Sequence, residues 1–82
     1  MDVNRIIAVY EKIGERLIKE IDINCISVNV LITIITTDEG DTDLYKVYKI
    51  TKLQYQKLVE IVPELSKVEF KNADIFYECY KK

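Results

Sequence analysis

The stretch that sets the predicted fold is NCISVNVLITIITT, residues 24–37, in which side chains alternate between two faces. One face would be entirely β-branched, made of Ile26, Val28, Val30, Ile32 and Ile34. β-Branched side chains favour strands, and such alternation is typical of an antiparallel strand with one face on a core. The other face is half polar and includes Leu31 and Ile35, which we expect to be exposed unless a helix or another chain covers them.

A polar turn, DEGDTD at residues 38–43, follows this strand, and residues 44–50 are again strand-like, so the two strands are predicted to form a hairpin. The acidic side chains of the turn are Asp38, Glu39, Asp41 and Asp43. We interpret it first as a solvated turn in which Gly40 supplies an unusual backbone angle. Two alternatives stay open. One is a calcium or magnesium site, although the late bidentate Glu of a calcium loop is absent; the other is a patch that docks on a basic partner.

Before the first strand, apolar residues recur at three- and four-residue steps, which predicts a helix over residues 3–21. The recurring residues are Val3, Ile6, Ile7, Tyr10, Ile13, Leu17, Ile18 and Ile21. Asp2 is placed to cap this helix, and its charge suits the positive end of the helix dipole. Gly14 would weaken the helix slightly.

A second helix is indicated by a capping box, with Thr51 as N-cap and Gln54 three residues later. Its buried side chains are predicted to be Tyr55, Leu58, Val59 and Val62, with Leu65 as a further candidate. Because Pro63 disfavours a helical residue before it, we expect the helix to end near Ile61 and a short turn to follow.

The last segment has two interpretations. We prefer a second hairpin, formed by residues 68–70 and 75–77 around a turn; the alternative is a short helix over residues 75–80 capped by Asn72. With the hairpin, the chain is one α+β domain over residues 1–82. It then has a small antiparallel sheet of three or four strands and two helices, in the order α-β-β-α-β-β.

Histidine is absent from the sequence. It is the usual acid–base group near neutral pH and the commonest metal ligand. Ser–His and Cys–His catalysis and histidine-based zinc sites are therefore excluded within the chain, and two cysteines cannot close a zinc site alone. We predict that the protein is not an enzyme and has no catalytic residues, cofactor or metal. A cleft of Glu, Asp and Tyr is the minority alternative.

Two cysteines, Cys25 and Cys79, lie in the predicted first strand and in the last element. A disulfide between them would tie both ends of the fold together, and the chain-entropy model gives it about 4 kcal/mol for a loop of this size. Intracellular disulfides are rare. Two free thiols that behave as small hydrophobes are therefore the preferred alternative.

Aromatic and basic side chains are interleaved in the middle of the chain. The set consists of Tyr45, Lys46, Tyr48, Lys49, Lys52 and Lys57. Such mixtures bind single-stranded nucleic acids, because bases stack on the rings while lysines contact phosphates. The scarcity of arginine, two residues against ten lysines, opposes this hypothesis. Nucleic-acid binding is therefore the alternative function.

The composition is biased toward Ile, Lys, Glu and Tyr and has no Trp. In this bias the chain resembles small orphan proteins of hyperthermophilic archaea and their viruses; proteins of AT-rich bacterial phages are similar. The resemblance is one of composition and involves no motif. It implies a mobile-element protein that acts by binding a host protein, such as a factor of a defence system, or by binding nucleic acid.

The leading hypothesis is a small non-enzymatic protein that binds a protein partner, either itself in a homodimer or a host protein. Leu31 and Ile35, together with the four acids of residues 38–43, would form the binding surface. The sequence contains no pattern of a signal peptide and no apolar run long enough to span a membrane. We therefore expect a soluble cytoplasmic protein, in the host cytoplasm if viral, without a membrane partner.

Overall fold

The chain begins with a β-hairpin. In the computed structural model, which describes residues 2–82, strand β1 spans Val3–Glu11 and strand β2 spans Leu17–Asp22. The turn between them contains Gly14 and Glu15, whose φ angles of 93° and 54° lie in the left-handed region that glycine adopts without strain. The helix predicted over residues 3–21 is therefore wrong, and its predicted cap, Asp2, precedes a strand.

This error follows from the central position of β1 in the sheet. Ile6, Ile7, Ala8 and Val9 are all buried, and β1 lies between two other strands. A strand with both faces buried loses the two-residue alternation of polar and apolar side chains. Its continuous apolar run then also satisfies three- and four-residue spacing, which is why the sequence suggests a helix.

Residues 24–37 form a connection with the short helix α1 at Val28–Leu31 instead of the predicted strand. Ser27 caps α1, since its hydroxyl accepts a 3.3 Å hydrogen bond from a backbone N–H of the first turn. Leu31 and Ile35 are 0% and 1% exposed. The predicted outer patch is therefore part of the core, and these two residues are not available to a partner.

The opposite face of this segment, predicted to line the core, is only partly buried. Val30 and Ile32 are exposed, whereas Ile26, Val28 and Ile34 pack against the core. Burial therefore does not follow the two-residue period. β-Branched residues form a strand only where a neighbouring strand and a core face are present, because β-propensity depends on tertiary context.

Two later strands complete the sheet. Strand β4 at Ala73–Lys81 pairs with β1 along its whole length, and β3, only Tyr48–Lys49, pairs with β4 on its other side. Across the described residues the strand order is β2-β1-β4-β3, with every pair antiparallel. The hairpin predicted between residues 24–37 and 44–50 does not form.

The second predicted hairpin is correct in one strand only. Strand β4 confirms the strand over the alternative helix for residues 75–80. Its predicted partner, residues 68–70, leads instead into a 3₁₀ helix at Phe70–Asn72. The long strand that pairs with β4 is β1, which the sequence analysis had assigned to a helix.

Helix α2 at Lys52–Ile61 begins and ends where the sequence predicts. Both hydrogen bonds of the capping box are present. The Gln54 backbone N–H donates to the Thr51 hydroxyl at 3.2 Å, and the Thr51 backbone N–H donates to the Gln54 side chain at 2.9 Å. A 3₁₀ helix at Pro63–Lys67 follows, as expected for the predicted turn.

The observed order is β-β-α-β-α-β, so the α+β class and the antiparallel sheet are confirmed and the predicted order is wrong. The core lies between one sheet face and the helices, and consists of Ile7, Val9, Ile21, Ile23, Leu31, Ile35, Leu44, Ile50, Leu58, Val62, Leu65, Ala73, Ile75 and Tyr77. The other sheet face is thereby turned away from the helices. Within residues 2–82, no helix has the length and apolar character needed to cross a membrane.

Candidate functional site

The sheet face that points away from the helices carries the candidate site. Cross-strand pairing defines it: Ala8 lies opposite Glu20 in β2 and Phe76 in β4, and Phe76 lies opposite Lys49 in β3. We call this surface the open face, and its residues include Asn4, Ile6, Ala8, Tyr10, Glu20, Asp22, Lys49, Asp74, Phe76, Glu78 and Tyr80.

A buried carboxylate lies within the open face. Glu78 is only 6% exposed. The Tyr10 hydroxyl donates a 2.9 Å hydrogen bond to its Oε2, and the Tyr80 hydroxyl donates to its Oε1. These bonds offset the cost of burying the charge. Because a carboxylate has about four acceptor sites, Glu78 keeps the capacity to accept from a ligand.

The two tyrosines on Glu78 are held in the protonated form. The hydrogen bond to Glu78, and then burial, raise the pKa of Tyr80 to about 12. The same two causes raise the pKa of Tyr10 above its ordinary value. Both hydroxyls therefore remain hydrogen-bond donors at neutral pH and fix the orientation of the carboxylate.

Next to Glu78 the open face has a shallow depression of about 340 Å³. Its lining residues are Tyr10, Glu15, Val47, Asp74, Phe76 and Glu78. The rings of Tyr10 and Phe76 meet edge to face, with centroids 5.7 Å apart and an angle of 80° between their planes. The depression thus combines aromatic walls with carboxylates, an arrangement that suits a cation.

The open face as a whole is acidic. Its carboxylates are Glu20, Asp22, Asp74 and Glu78, and its amine is Lys49. The Lys49 Nζ lies 3.6 Å from the Asp74 Oδ1, so the positive charge of Lys49 already lies beside a carboxylate of this face. The remaining negative charge favours a basic partner over a phosphate backbone.

One of the four acids in the acidic loop, residues 38–43, is buried and therefore not available to a partner, whereas docking through the other three stays a prediction. Asp41 is 7% exposed and accepts hydrogen bonds from the backbone N–H groups of Tyr45 (2.8 Å) and Lys46 (3.1 Å) and from the Tyr48 hydroxyl (2.5 Å). Burial acts to raise the pKa of Asp41, but these hydrogen bonds outweigh it and hold the pKa below its usual value. Asp41 therefore stabilises the loop, and the other three acids remain exposed.

The end of this loop is tied to the sheet by Arg5 and Tyr77. The Tyr77 hydroxyl donates to the backbone carbonyl of Leu44 at 2.7 Å, and the Arg5 guanidinium donates to the Tyr77 hydroxyl at 3.1 Å and to the Asp43 carbonyl at 3.0 Å. Leu44 has a positive φ of 56° and a fully buried side chain. The end of the loop is thus held to the folded body, while Gly40 has a positive φ of 88°, the unusual backbone angle that the turn interpretation predicts.

The aromatic residues predicted to stack on nucleic-acid bases have structural contacts. The Tyr48 hydroxyl is bound to Asp41. The exposed ring of Tyr45 has the Arg5 guanidinium 5.9 Å from its centroid.

The lysines of the predicted strip differ in their surroundings. Lys46 lies 3.6 Å from Asp38, and Lys49 belongs to the acidic open face. Lys57 is exposed on α2, and Lys52 is the first residue of that helix. Lys52 lines a different depression of about 480 Å³, together with Lys12, Glu69, Phe70 and Lys71.

Cys25 and Cys79 are both free thiols, with Cys25 exposed and Cys79 half-buried. The two cysteines are therefore free thiols in the structure, and the candidate disulfide is not formed. Among residues 2–82, no group of three or more His, Cys, Asp or Glu side chains could hold a metal ion. The calcium or magnesium alternative for the acidic loop has no support in this geometry.

Residues 4–78 match a family described as a domain of unknown function, DUF7683. The chain belongs to the DUF7683 family. The match extends from β1 to Glu78, so it includes Tyr10 and the buried carboxylate but ends before Tyr80. No curated protein and no solved structure matched the chain.

Of the residues of the open face, only Lys49 was among the predicted site residues, and it was predicted to bind nucleic acid. One pattern could have indicated part of this face: Asp74, Phe76, Glu78 and Tyr80 alternate with Ile75, Tyr77 and Cys79 along residues 74–80. Such alternation predicts a strand with one polar and aromatic face. The contribution of Tyr10 had no comparable signal, because its segment was predicted to be helical.

Proposed function

We propose that this protein is a small binding module whose open face docks on a protein partner that presents a basic surface. The observation that carries the proposal is the chemistry of this face, where carboxylates surround exposed and half-buried aromatic side chains. Aromatic residues are enriched in protein interfaces, and complementary charges guide the approach of a partner. The sequence also predicts protein binding, but through Leu31, Ile35 and the acidic loop, whereas we propose the open face as the binding surface.

A second copy of the chain does not fit the open face. Two such faces would bring carboxylates together, and like charges across an interface repel. One predicted ground for a homodimer was the exposure of Leu31 and Ile35, which are buried. The other ground, pairing of sheet edges between two copies, stays a prediction. The occupant that we propose is therefore a different protein. That it is a host protein bound by a mobile-element protein remains the prediction from composition.

Charge-matched variants test the proposal. Glu20→Gln with Asp22→Asn removes two charges from the open face, whereas Glu39→Gln with Asp43→Asn removes two charges from the acidic loop. The affinity of each variant for a lysine- and arginine-rich peptide is measured at low salt by fluorescence anisotropy. We expect the open-face pair to weaken binding about fivefold, since each screened contact contributes about 0.5 kcal/mol. The loop pair should leave the affinity nearly unchanged.

Equal losses in both pairs would mean that the peptide responds to net charge alone, and a loss in the loop pair only would locate binding on the acidic loop. Either result overturns the proposal. All four side chains are exposed, so their replacement should change the free energy of unfolding by less than about 0.5 kcal/mol. Thermal melts of both pairs verify that the variants remain folded.

Nucleic-acid binding is the second candidate, and one observation favours it. Lys12, Lys52 and Lys71 line one depression together with the half-buried ring of Phe70. Lysines around an aromatic side chain suit a single-stranded backbone with a stacked base. Of the strip predicted from the sequence, only Lys52 belongs to this group.

A salt series with a labelled single-stranded oligonucleotide tests this second candidate. Lys12→Gln with Lys71→Gln should lower the slope of log affinity against log salt by about 1.4, because each phosphate contact on a single strand contributes about 0.7. The matched control is Lys81→Gln with Lys82→Gln, at the end of β4 that lies away from Lys71. The site would be excluded if Lys12→Gln with Lys71→Gln left the slope of log affinity against log salt unchanged, or if the unmodified protein did not bind the oligonucleotide at low salt.

A further inference from the structure

We propose that the depression beside Glu78 is the anchor site for one arginine side chain of the protein partner, and that this arginine displaces the ammonium group of Lys49. The inference rests on the proposed function and names the group that the open face recognises. It follows from the order of side chains along β4, from the aromatic walls of the depression and from the position of Lys49.

Phe76 lies between Asp74 and Glu78 on the same face of β4. Alternate residues of a strand are about 7 Å apart, so a group stacked on the Phe76 ring has a carboxylate on either side. Asp74, Phe76 and Glu78 all line the depression. A planar cation over Phe76 would therefore come within reach of two carboxylates.

These features favour a guanidinium over an ammonium group. A guanidinium is planar, stacks on aromatic rings and carries five donors that can bind two acceptors at once. An ammonium is a compact and strongly hydrated point charge, which approaches one carboxylate at a time. The fixed orientation of Glu78 between two tyrosine hydroxyls adds to the preference, because a fork of donors requires an acceptor of defined geometry.

Lys49 already places a cation beside this depression. It lies opposite Phe76 in the strand register, and its Nζ is 3.6 Å from Asp74. Its side chain is 65% exposed, so the contact is weak and readily exchanged. In the free protein, Lys49 partly neutralises the depression, and an incoming arginine takes its place at Asp74.

The experiment uses Lys49→Met, with Lys46→Met as the matched control. Lys46 has the same 3.6 Å separation from its carboxylate and a similar exposure, and both variants change the net charge equally. The probes are short basic peptides that differ only at one central position, which is arginine, lysine or citrulline. Their affinities are measured for the unmodified protein and for both variants.

We expect the arginine peptide to bind about tenfold more tightly than the citrulline peptide and about threefold more tightly than the lysine peptide. Lys49→Met should raise the affinity for the arginine peptide about threefold beyond any effect of Lys46→Met. Phe76→Leu should reduce the preference for arginine over lysine, because the stacking surface is lost.

Equal binding of the arginine and lysine peptides, or equal effects of Lys49→Met and Lys46→Met, would overturn the arginine site. These outcomes are distinguishable from a failure of the proposed function. If Glu20→Gln with Asp22→Asn still weakens binding, the open face remains the docking surface and only the anchor is refuted. If that pair also has no effect, the open face itself is refuted.

Discussion

The hydroxyl of Tyr10 donates a 2.9 Å hydrogen bond to the buried carboxylate of Glu78, which lies 68 residues later in the chain. The bond joins the central strand β1 to β4 across the open face. It fixes a negative charge at the edge of an aromatic depression, and it links the stability of the sheet to the proposed binding surface.

Loss of this donor should destabilise the protein. Tyr10→Phe removes the hydroxyl and leaves Oε2 of Glu78 without its partner, so we expect the free energy of unfolding to fall by about 1–2 kcal/mol. Chemical denaturation measures the change. The matched control is Tyr45→Phe, whose ring is exposed and whose replacement should have little effect. Equal stability of the two variants would contradict the role of the bond.

Leu31 belongs to the core and not to an outer patch. Leu31→Ala should lower the free energy of unfolding by about 2–5 kcal/mol, because the removed side chain leaves a cavity. Ile32→Ala, in the neighbouring exposed position, should cost less than about 1 kcal/mol. Denaturant melts compare the two, and a larger loss for Ile32→Ala would support the strand predicted from the sequence.

Asp41 should make the acidic loop sensitive to low pH. Its pKa is lower in the folded protein than in the unfolded chain, so its contribution to stability is fully present above its unfolded pKa of about 3.9 and is lost as the pH falls through the folded value. Asp41→Asn should remove this part of the acid dependence, whereas Asp43→Asn should retain it. The measurement is the free energy of unfolding of both variants between neutral and acid pH. An identical dependence on pH in the two variants would contradict this role of Asp41.

Tyr77 and Tyr80 should titrate well above pH 10. Burial raises the pKa of Tyr77 to about 12, and the hydrogen bond to Glu78 raises that of Tyr80 to about 12. Because an unfolded tyrosine titrates near pH 10, the stability from these groups is present below about pH 10 and is lost as the pH rises toward 12. Ultraviolet absorbance of tyrosinate follows the titration. A single step near pH 10 for all six tyrosines would contradict this prediction.

The features that the sequence predicted correctly depend on neighbouring residues. The box formed by Thr51 and Gln54 defines the start of α2, and Pro63 defines its end, because both signals act within one turn of helix. The strand predicted over residues 75–77 was likewise indicated by its own β-prone residues. Each of these elements was therefore predictable without knowledge of the rest of the chain.

The features that the sequence did not predict depend on distant contacts. Strand β1 has a continuous apolar run because both of its faces are buried in the sheet, and the same run fits a helical stripe. The β-branched side chains of residues 24–37 have no neighbouring strand to pair with. This segment is therefore a connection that contains the short helix α1. The open face could not be predicted because it requires the pairing of β1 with β4.

The most direct test of the open face as the binding surface is amide chemical-shift mapping by NMR, with the arginine-containing basic peptide added to the isotopically labelled protein. We predict that the largest shifts occur at Ala8, Tyr10, Glu20, Phe76 and Glu78, and that residues 38–43 change little. Amide shifts concentrated in residues 38–43, or spread evenly over the amides of all acidic residues, would contradict the account.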